Sequence, residues 1–289
     1  SLRGAFHVHS SISHDGKISM DKIAIAARRA GLDFVILTEH NKNPEPPIMQ
    51  RGVLFLRGTE WSTAFGHIIQ LGGKPLAKED KKSLEVVKKI RNNDGLAILA
   101  HPFDLKRPWE GPWEGLSGLE IVNSASALRD MLRNNPLRLI PMLSAVLMRQ
   151  DLAWSQLYGA NARALKRWHS EADSTPVGLC GVDLHGWTDA QKNLNHWNIV
   201  LPGPMPEKIE EKESHIYNHL ANGAFYCSST QNNQIIDMNL TLVDQAGTQK
   251  DFQSKLSFDS PQLLSVELPP QETNLLRIVL YRNGQRLMA

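Results

Sequence analysis

Short apolar runs, each followed by polar residues, recur between residues 5 and 185. In chain order they are AFHVH, DFVILTEH, VLFLRGTE, GHIIQLGG, LAILAHP, GLEIVN and VGLCGVDLH. Several are separated by helix signals. Ser19 is a predicted N-cap for a helix over 20–30, which Gly31 ends. A second helix is predicted between Ser83 and Gly95. Strands that alternate with helices predict βα units and a mainly parallel sheet.

Two segments depart from this alternation. Residues 124–175 predict a longer helical insertion rich in Leu, Ala, Met and Arg, which we expect to pack outside the βα unit or to cover one end of it. A separate binding module is the alternative for this insertion. After about residue 225 the pattern changes to short strands without helices. The Asn283–Gly284 pair there is a hairpin signal, because both central turn positions favour positive φ.

Composition narrows the class of protein without identifying a partner. The chain is 41% hydrophobic and 21% charged, as in ordinary globular proteins, and its formal net charge is +2. This charge gives no strong signal for nucleic acid, and no apolar run approaches the ~18 residues of a membrane span. Two cysteines cannot form a disulfide framework or a closed structural zinc site. We expect Cys180, inside an apolar run, to be a buried and inert thiol.

Titratable residues stand at the ends of the apolar runs. In a parallel barrel the carboxyl ends of all strands meet at one mouth, where catalytic groups collect. His7 and His9 also share a face of their strand, because side chains alternate along it. Burying many titratable groups together without a cation would be costly, so we predict a metal cluster. Its candidate ligands are His7, His9, Asp15, His40, Glu60, His67, His101, Asp183 and His185.

The chemistry of these candidates indicates the kind of metal. Imidazole nitrogens and carboxylate oxygens without thiolate suit Zn, Mn or Fe better than Ca or a structural zinc finger. Three carboxylates and six neutral imidazoles compensate much of the charge of two or three divalent ions. Neighbouring metals ~3.5–4 Å apart polarise a substrate oxygen and lower the pKa of bound water toward ~7.

The order and spacing of these motifs resemble the PHP (polymerase and histidinol phosphatase) superfamily of metal-dependent phosphoesterases. The matching motifs are His7-Val8-His9-Ser10, Asp15-Gly16, Thr38-Glu39-His40-Asn41, Gly58-Thr59-Glu60, Gly66-His67, Ala100-His101-Pro102 and Gly181-Val182-Asp183-Leu184-His185. The resemblance implies an α/β fold built on a distorted seven-stranded β/α barrel. The GLEIVN segment, the long helices after it and the β appendage look like the CehA/McbA-type branch, which includes carbamate-ester hydrolases.

The resemblance also implies how the ligands are divided. His7, His9, Glu60 and Asp183 would hold the first metal. Glu60 would bridge to a second held by His67 and His101, and Asp15, His40 and His185 would hold a third. Glu39 stands where the family more often has Asp, and we expect it to support a ligand or to be merely solvated. Glu120 is in the GLEIVN segment and faces the same region, so we expect it to support ligands and not to bind metal. His14, Lys106 and Arg107 are candidates for contacting the substrate.

These observations predict a barrel domain over residues 1–225, with the insertion at 124–175, and a small antiparallel β domain over 226–289. The predicted function is a metal-dependent hydrolase of a small-molecule ester, first a phosphoester, with a di- or trinuclear centre and attack by a metal-bound hydroxide. Hydrolysis of a carboxyl ester, carbamate ester or amide by the same centre is the alternative. A non-catalytic binding scaffold is the alternative from another class. The abrupt start of the chain and the layout of the family favour export over a cytoplasmic location.

Overall fold

The computed structural model describes most of the chain up to residue 229 and five short strands beyond it. The described residues are 1–134, 137, 140, 162–170, 176–186, 190–229, 239–243, 247, 249–251, 263–267, 280–282 and 285–288. Much of the predicted insertion at 124–175, and both turn residues of the predicted hairpin, Asn283 and Gly284, lie outside them.

The fold is a mixed α/β arrangement around one nearly closed, barrel-shaped sheet. Its strands are β1 (Leu2–Val8), β2 (Phe34–His40), β3 (Ile48–Gln50), β4 (Val53–Thr63), β5 (Gly66–Leu71), β6 (Leu96–Leu99), β7 (Gly118–Asn123), β8 (Val177–Gly181), β9 (Asn198–Leu201) and β10 (Tyr226–Ser228). Within the described chain, nine of them follow the order β10-β9-β1-β2-β4-β5-β6-β7-β8, and β3 pairs with β4. The path has nine strands, whereas the resemblance implies a barrel of seven.

The sheet is only partly parallel, unlike the mainly parallel sheet predicted. Strands β1, β2 and β4 pair in parallel, as do β6, β7 and β8, but β5 is antiparallel to both β4 and β6. Only Ala64 and Phe65 separate β4 from β5. A parallel pairing needs a crossover of a dozen or more residues, so this short link dictates a hairpin.

The two sides of the barrel meet at the end of β1. The amide of Val182 donates to the carbonyl of Phe6 at 3.0 Å, and the amide of His9 donates to the carbonyl of Leu184 at 2.9 Å. Val8 and Leu184 also form an isolated parallel bridge. The segment after β8 therefore hydrogen-bonds to the strand that begins the chain, and this contact brings two groups of predicted ligands together.

Six helices accompany the sheet in the described chain. They are α1 (Met20–Arg29), α2 (Val86–Asn92), α3 (Ser124–Asn134), α4 (Ala162–Ser170), α5 (Ala190–His196) and α6 (Ile209–Asn222), with a 3₁₀ turn at Asp80–Lys82. The predicted cap of α1 is confirmed, because the Ser19 side chain accepts a hydrogen bond from the amide of Lys22. Gly223 ends α6 with a φ of 69°, a left-handed conformation that glycine adopts without a steric cost.

Buried apolar residues fill both sides of the sheet. Phe6, Phe34 and Ile36 are among the residues of one core cluster, to which β8 and α6 also contribute. A second cluster packs α1 against the other face of β1 and β2 through residues such as Ile23 and Val35. Successive strand residues thus point to opposite buried faces, as expected for a sheet covered by helices. This rigid frame fixes where each strand delivers its last residues.

The expectation that Cys180 is an inert free thiol is wrong. Cys180 on β8 forms a disulfide with Cys227 on β10, with the two Cα atoms 6.0 Å apart. Strands β8 and β10 are the two ends of the sheet path, so the disulfide joins them covalently. The β10 segment was expected to begin the C-terminal domain, but it pairs antiparallel with β9 in the large sheet.

The described residues beyond 229 form antiparallel strands, as predicted. Strands β11 (Asn239–Val243), β12 (Gln249–Asp251) and β13 (Leu263–Glu267) form a sheet in the order β12-β11-β13. Strand β14 (Leu280–Arg282) pairs antiparallel with β15 (Gln285–Met288), as the hairpin prediction expects. A separate C-terminal domain over 226–289 remains a prediction.

Candidate metal centre

All nine predicted ligands lie around one mouth of the barrel. His7 and His9 come from the end of β1, His40 ends β2, and Glu60 lies on β4. Asp15 is in the loop after β1, His101 follows β6, and Asp183 and His185 follow β8. His67 is a special case, since it stands at the start of β5 and not at a strand's carboxyl end. It still reaches the mouth, because β5 runs antiparallel to its neighbours.

Three of these residues have unusual backbone conformations. His7, His101 and Asp183 have φ values of 66°, 29° and 51°. A positive φ is costly for a residue with a side chain and persists only where the surrounding structure enforces it. His7 also lies at a break in the pairing register between β1 and β2. Such strained residues cluster at functional sites, and here they direct side chains into the mouth.

Glu60 is the centre of the cluster. Its side chain is buried, and five histidine rings among the described residues approach its two oxygens. The distances to Oε2 are 3.2 Å from His7 Nε2, 3.2 Å from His9 Nε2 and 3.3 Å from His40 Nδ1. The distances to Oε1 are 2.7 Å from His67 Nδ1 and 3.1 Å from His101 Nε2. A carboxylate with nitrogen ligands around both oxygens is placed to bridge two cations.

Two further carboxylates extend the cluster. Asp183 Oδ1 lies 3.4 Å from His7 Nε2 and 3.5 Å from His9 Nε2. Asp15 Oδ2 lies 3.3 Å from His40 Nε2 and 3.2 Å from His185 Nε2. Glu60, Asp183 and Asp15 therefore each meet at least two imidazole nitrogens, a donor set that suits divalent transition metals.

Four subsets have ligand atoms close enough to share one ion. They are His9, Asp15, His40 and His185; His7, His9 and Glu60; His7, His101 and Asp183; and His40, Glu60 and His67. The expected third site, Asp15 with His40 and His185, falls within the first subset, to which His9 is added. His101 groups with His7 and Asp183, whereas the resemblance placed it with His67. The division of ligands among individual ions stays a prediction.

Unpaired buried atoms test whether these residues fit a cation. His9 Nε2, His40 Nδ1, both ring nitrogens of His67, His101 Nδ1 and Asp15 Oδ1 are buried, and none makes a hydrogen bond of good geometry within the described chain, although His67 Nδ1 lies 2.7 Å from Glu60 Oε1. A buried polar atom without a partner costs about 1–3 kcal/mol, and six in one place are unusual in a native protein. Divalent ions between the imidazoles and carboxylates would satisfy most of them. The residues present therefore fit metal ions.

The charges of the cluster set the protonation of its own histidines. Burial lowers the pKa of His9, but Asp183 and Glu60 outweigh it and raise that pKa to about 9. Burial dominates at His40 and lowers its pKa to about 4 against the attraction of Glu60. Burial also disfavours ionised Glu60 and Asp183, yet the surrounding histidines hold both carboxyl pKa values well below their ordinary range. The ionised carboxylates therefore raise the proton affinity of a neighbouring histidine, His9, at the place where a cation would bind.

Glu120 and Glu39 both lie next to the predicted ligands, and their role as supporting residues stays a prediction. Glu120 Oε1 accepts a hydrogen bond from His7 Nδ1 at 2.7 Å, and Oε2 accepts one from the backbone amide of His101 at 2.7 Å. A carboxylate behind a histidine fixes the ring so that its other nitrogen faces the metal. Glu39 instead accepts hydrogen bonds from the amide and hydroxyl of Ser10, and so braces the residue after His9.

The expected substrate contacts divide into two groups. Lys106 and Arg107 line a cavity of about 190 Å³ over the ligands, whereas His14 has a side chain 77% exposed and lies 3.9 Å from Asp15. Asp104 and Arg129 also line this cavity, although neither was predicted from the sequence. Asp104 follows the His101-Pro102 motif by two residues, which was a usable signal. Arg129 lies within the predicted insertion, and only the fold brings it to the mouth.

Fold and site together define a class: an α/β protein whose barrel-shaped sheet presents a His/Asp/Glu cluster suited to divalent metals. No family model matches the chain, and no curated protein matches it. Within the described residues no helix has both the length and the apolar character needed to cross a membrane.

The chain is similar to several solved structures at low identity. One is PsfC from Pseudomonas syringae, with 15% identity over 80% of this chain and 93% of that chain, and a TM-score of 0.46. Another, from Bacteroides vulgatus, is a two-domain protein described as containing a predicted PHP-like metal-dependent phosphoesterase, with 20% identity over 46% of this chain and a TM-score of 0.32. This chain spans about half of that protein, 49% of its length. A candidate metal-dependent phosphoesterase from Bifidobacterium adolescentis has 14% identity over 63% of this chain and 87% of that chain, and a TM-score of 0.36. At these values the likeness assigns no activity to this chain, so its function is argued from the site.

Proposed function

We propose that the chain is a metal-dependent hydrolase of the PHP type, and specifically a phosphoesterase with a di- or trinuclear centre. The observation that supports it most is the gathering of nine donor side chains at one mouth, where five histidine rings approach Glu60 and several buried atoms lack a well-oriented hydrogen bond. In this proposal β1, β2, β4, β5, β6, β7 and β8 are the seven strands of the barrel, and β9 and β10 extend it. Because β10 pairs within the large sheet, the β domain expected over 226–289 is proposed here for residues 230–289, and the CehA/McbA-type branch is proposed as the subgroup.

The side chains of this protein provide placement and charge. Two or three divalent ions, Zn, Mn or Fe, would supply the activated water and polarise the ester. Glu60 holds the histidines of neighbouring strands around one point, and Glu120 orients His7. Lys106 and Arg107 add positive charge at the cavity, where an anionic ester would lie. This charge distribution favours an anionic substrate that contacts several cations. We therefore propose a phosphoester substrate ahead of an uncharged ester.

The test compares two substrates with the same leaving group. Protein of measured metal content is assayed with 4-nitrophenyl phosphate and 4-nitrophenyl acetate at one metal loading. We expect a clear preference for the phosphate, and the loss of that activity in Asp183→Asn and His9→Ala. His219→Ala on α6 is the matched control, because this histidine lies on a helix away from the cluster. Equal or reversed preference would favour the ester, carbamate or amide hydrolase. Metal binding without any turnover would favour a binding scaffold.

We also propose that the protein is exported. The Cys180–Cys227 disulfide supports this, because disulfides form and persist in oxidising compartments. Thiol labelling of protein taken directly from its native cells, before and after reduction, tests the proposal. Labelling only after reduction is expected, and full labelling without reductant would contradict export.

A further inference from the structure

An arginine of helix α3 extends over the metal centre. Arg129 Nε donates a hydrogen bond to Asp104 Oδ2 at 2.8 Å, and Arg129 Nη2 lies 2.6 Å from the same oxygen. Nη2 is also 3.7 Å from Oδ2 of Asp183, one of the predicted metal ligands. Arg129 belongs to the part of the chain predicted as an insertion, so this insertion contributes a charged group to the mouth of the barrel.

Asp104 holds both this arginine and the neighbouring loop. Its side chain is buried, and its Oδ1 accepts a hydrogen bond from the amide of Lys106 at 2.8 Å. Burial opposes ionisation of Asp104, but the charge of Arg129 and these hydrogen bonds lower its pKa below the ordinary value. One ionised carboxylate therefore fixes the guanidinium on α3 through Oδ2 and the loop that carries Lys106 and Arg107 through Oδ1.

The geometry leaves part of the guanidinium open to a ligand. Only Nε and Nη2 contact Asp104, and among the described residues Nη1 has no hydrogen-bond partner. The side chain is 34% exposed and lines the cavity together with Glu60, His101 and Asp183. An arginine fork presents several donors in fixed directions, so a guanidinium anchored on one side can bind an anion with the other.

The charge balance of the cavity indicates the sign of that ligand. Its lining has four carboxylates, Asp15, Glu60, Asp104 and Asp183, and three side chains that are permanently cationic at neutral pH, Lys106, Arg107 and Arg129. Two or three divalent ions would leave this lining positive even with Glu120 counted behind it. A neutral substrate would not compensate this charge, whereas an anionic one would.

We infer that Arg129 binds an anionic oxygen of the substrate over the metal centre, with Asp104 as its positioning residue, so that the site selects phosphoryl-type anions. This inference rests on the proposed function and names its substrate class. Arg129 is the contacting group, and Asp104 acts through it. The part of the chain predicted as an insertion thereby takes part in selecting the substrate.

The experiment measures binding of inorganic phosphate to the metal-loaded full chain by calorimetry, together with hydrolysis of 4-nitrophenyl phosphate and 4-nitrophenyl acetate. The variants are Arg129→Gln, Arg129→Lys and Asp104→Asn. Arg133→Gln, on the same helix and exposed, removes the same charge outside the cavity and is the matched control. Metal content is measured for every variant.

We expect Arg129→Gln to weaken phosphate binding by about tenfold to a hundredfold, since a hydrogen bond to a charged group is lost. KM for the phosphoester rises with it, the ratio of phosphoester to acetate hydrolysis falls, and the metal content stays at the control level. Asp104→Asn raises the same KM by a smaller factor and lowers the same ratio, whereas a general loss of structure would lower both activities in parallel. For Arg129→Lys we expect a phosphate affinity between those of the wild type and Arg129→Gln, because lysine retains the positive charge but lacks the forked donors of the guanidinium.

Phosphate affinity in Arg129→Gln equal to that of Arg133→Gln, at full metal content, would overturn the inference and leave the proposed function standing. If Arg129→Gln loses metal, Arg129→Lys decides: weaker phosphate binding at full metal content supports the inference, and wild-type affinity overturns it. A wild-type protein that binds metals but neither binds phosphate nor hydrolyses the phosphoester contradicts the proposed function, and the inference fails with it. The wild-type arm therefore distinguishes the two failures.

Discussion

Replacing Glu120 by Gln should weaken metal binding although we do not expect Glu120 to be a ligand. Glu120 is buried and accepts three hydrogen bonds, from His7 Nδ1 at 2.7 Å, the His101 amide at 2.7 Å and Asn123 Nδ2 at 2.8 Å. The first leaves His7 Nε2 directed at Glu60 and Asp183. Glutamine is nearly the same size but is neutral and has only one acceptor oxygen, so it cannot accept all three bonds.

The size of the effect follows from the bonds lost. A hydrogen bond to a charged group is worth about 1.5–3 kcal/mol, which corresponds to about tenfold to a hundredfold in affinity. The same range is typical when a carboxylate behind a metal-binding histidine is removed. We therefore expect the dissociation constant for Zn or Mn to rise by about that factor, with the rings of His7 and His101 less well fixed.

The assay is a competition titration against a chromophoric chelator, with unfolding followed by circular dichroism. Glu39→Gln is the matched control, because Glu39 is also buried but accepts its hydrogen bonds from Ser10 and not from a histidine. We expect Glu39→Gln to retain affinity within a few-fold of wild type. Wild-type metal affinity in a folded Glu120→Gln protein would refute the reasoning.

Four other predictions test the centre and the fold. Chelation should abolish the proposed hydrolase activity and lower the melting temperature together, because the ions would bind only the folded state. Calorimetry after verified metal removal measures the melting temperature, and an unchanged value contradicts the prediction. Cys227→Ser should lower the free energy of unfolding by at most about 4 kcal/mol, the chain-entropy value for a bridge across 47 residues, measured by urea denaturation. Metal binding at pH 7 should release protons, because a metal-binding histidine must be neutral and the pKa of His9, about 9, keeps this residue protonated at that pH. The apparent metal affinity should therefore rise as the pH approaches 9. Calorimetry in buffers of different ionisation enthalpy measures the proton release, and no release at pH 7 contradicts the prediction. Removing residues 230–289 should leave metal content largely intact if the C-terminal strands form a separate unit, whereas a metal-free product would show that the boundary is wrong.

Local sequence signals predicted local structure well. Ser19 caps α1, and Gly31, with a φ of 69°, follows its end, because capping depends on the conformational preferences of single residues. The gathering of His9, Glu60 and Asp183 at one mouth also followed from the sequence. It required only that strand ends meet at one edge of the sheet, which holds for many registers and connections.

Strand direction was the part of the fold that the sequence analysis missed. Apolar runs look alike whether a strand is parallel or antiparallel, so VLFLRGTE and GHIIQLGG were both interpreted as strands of a mainly parallel sheet. The two-residue link at Ala64 and Phe65 was the available signal, since no crossover fits in it. His67 reaches the mouth because β5 is antiparallel to β4 and β6. Its position at the mouth was therefore predicted correctly, but from an incorrect strand direction.

Two other contacts between distant segments could not be predicted from the sequence. Cys180 and Cys227 are 47 residues apart, and their pairing depends on β10 and β8 being the two ends of one sheet. Arg129 was one of many arginines in a helical segment, and its role depends on the partner carboxylate of Asp104. Both cases depend on tertiary geometry, which residue type and spacing do not determine.

Closure of the barrel and assembly of the metal centre occur at the same place. The hydrogen bond from the amide of His9 to the carbonyl of Leu184 joins the end of β1 to the segment after β8. These two segments supply four of the predicted ligands, His7, His9, Asp183 and His185. Without a cation, His7 and His9 must take up protons to balance the ionised carboxylates at this junction, and His9 Nε2 is buried without a well-oriented hydrogen bond, so part of the desolvation cost opposes closure. A bound divalent ion reverses that cost. The disulfide joins the ends of the same sheet path from β8 to β10, so it should preserve much of the closure when metal is removed. The loss of stability on chelation should therefore be larger in Cys227→Ser than in the wild-type protein, and equal losses would show that the two closures are independent.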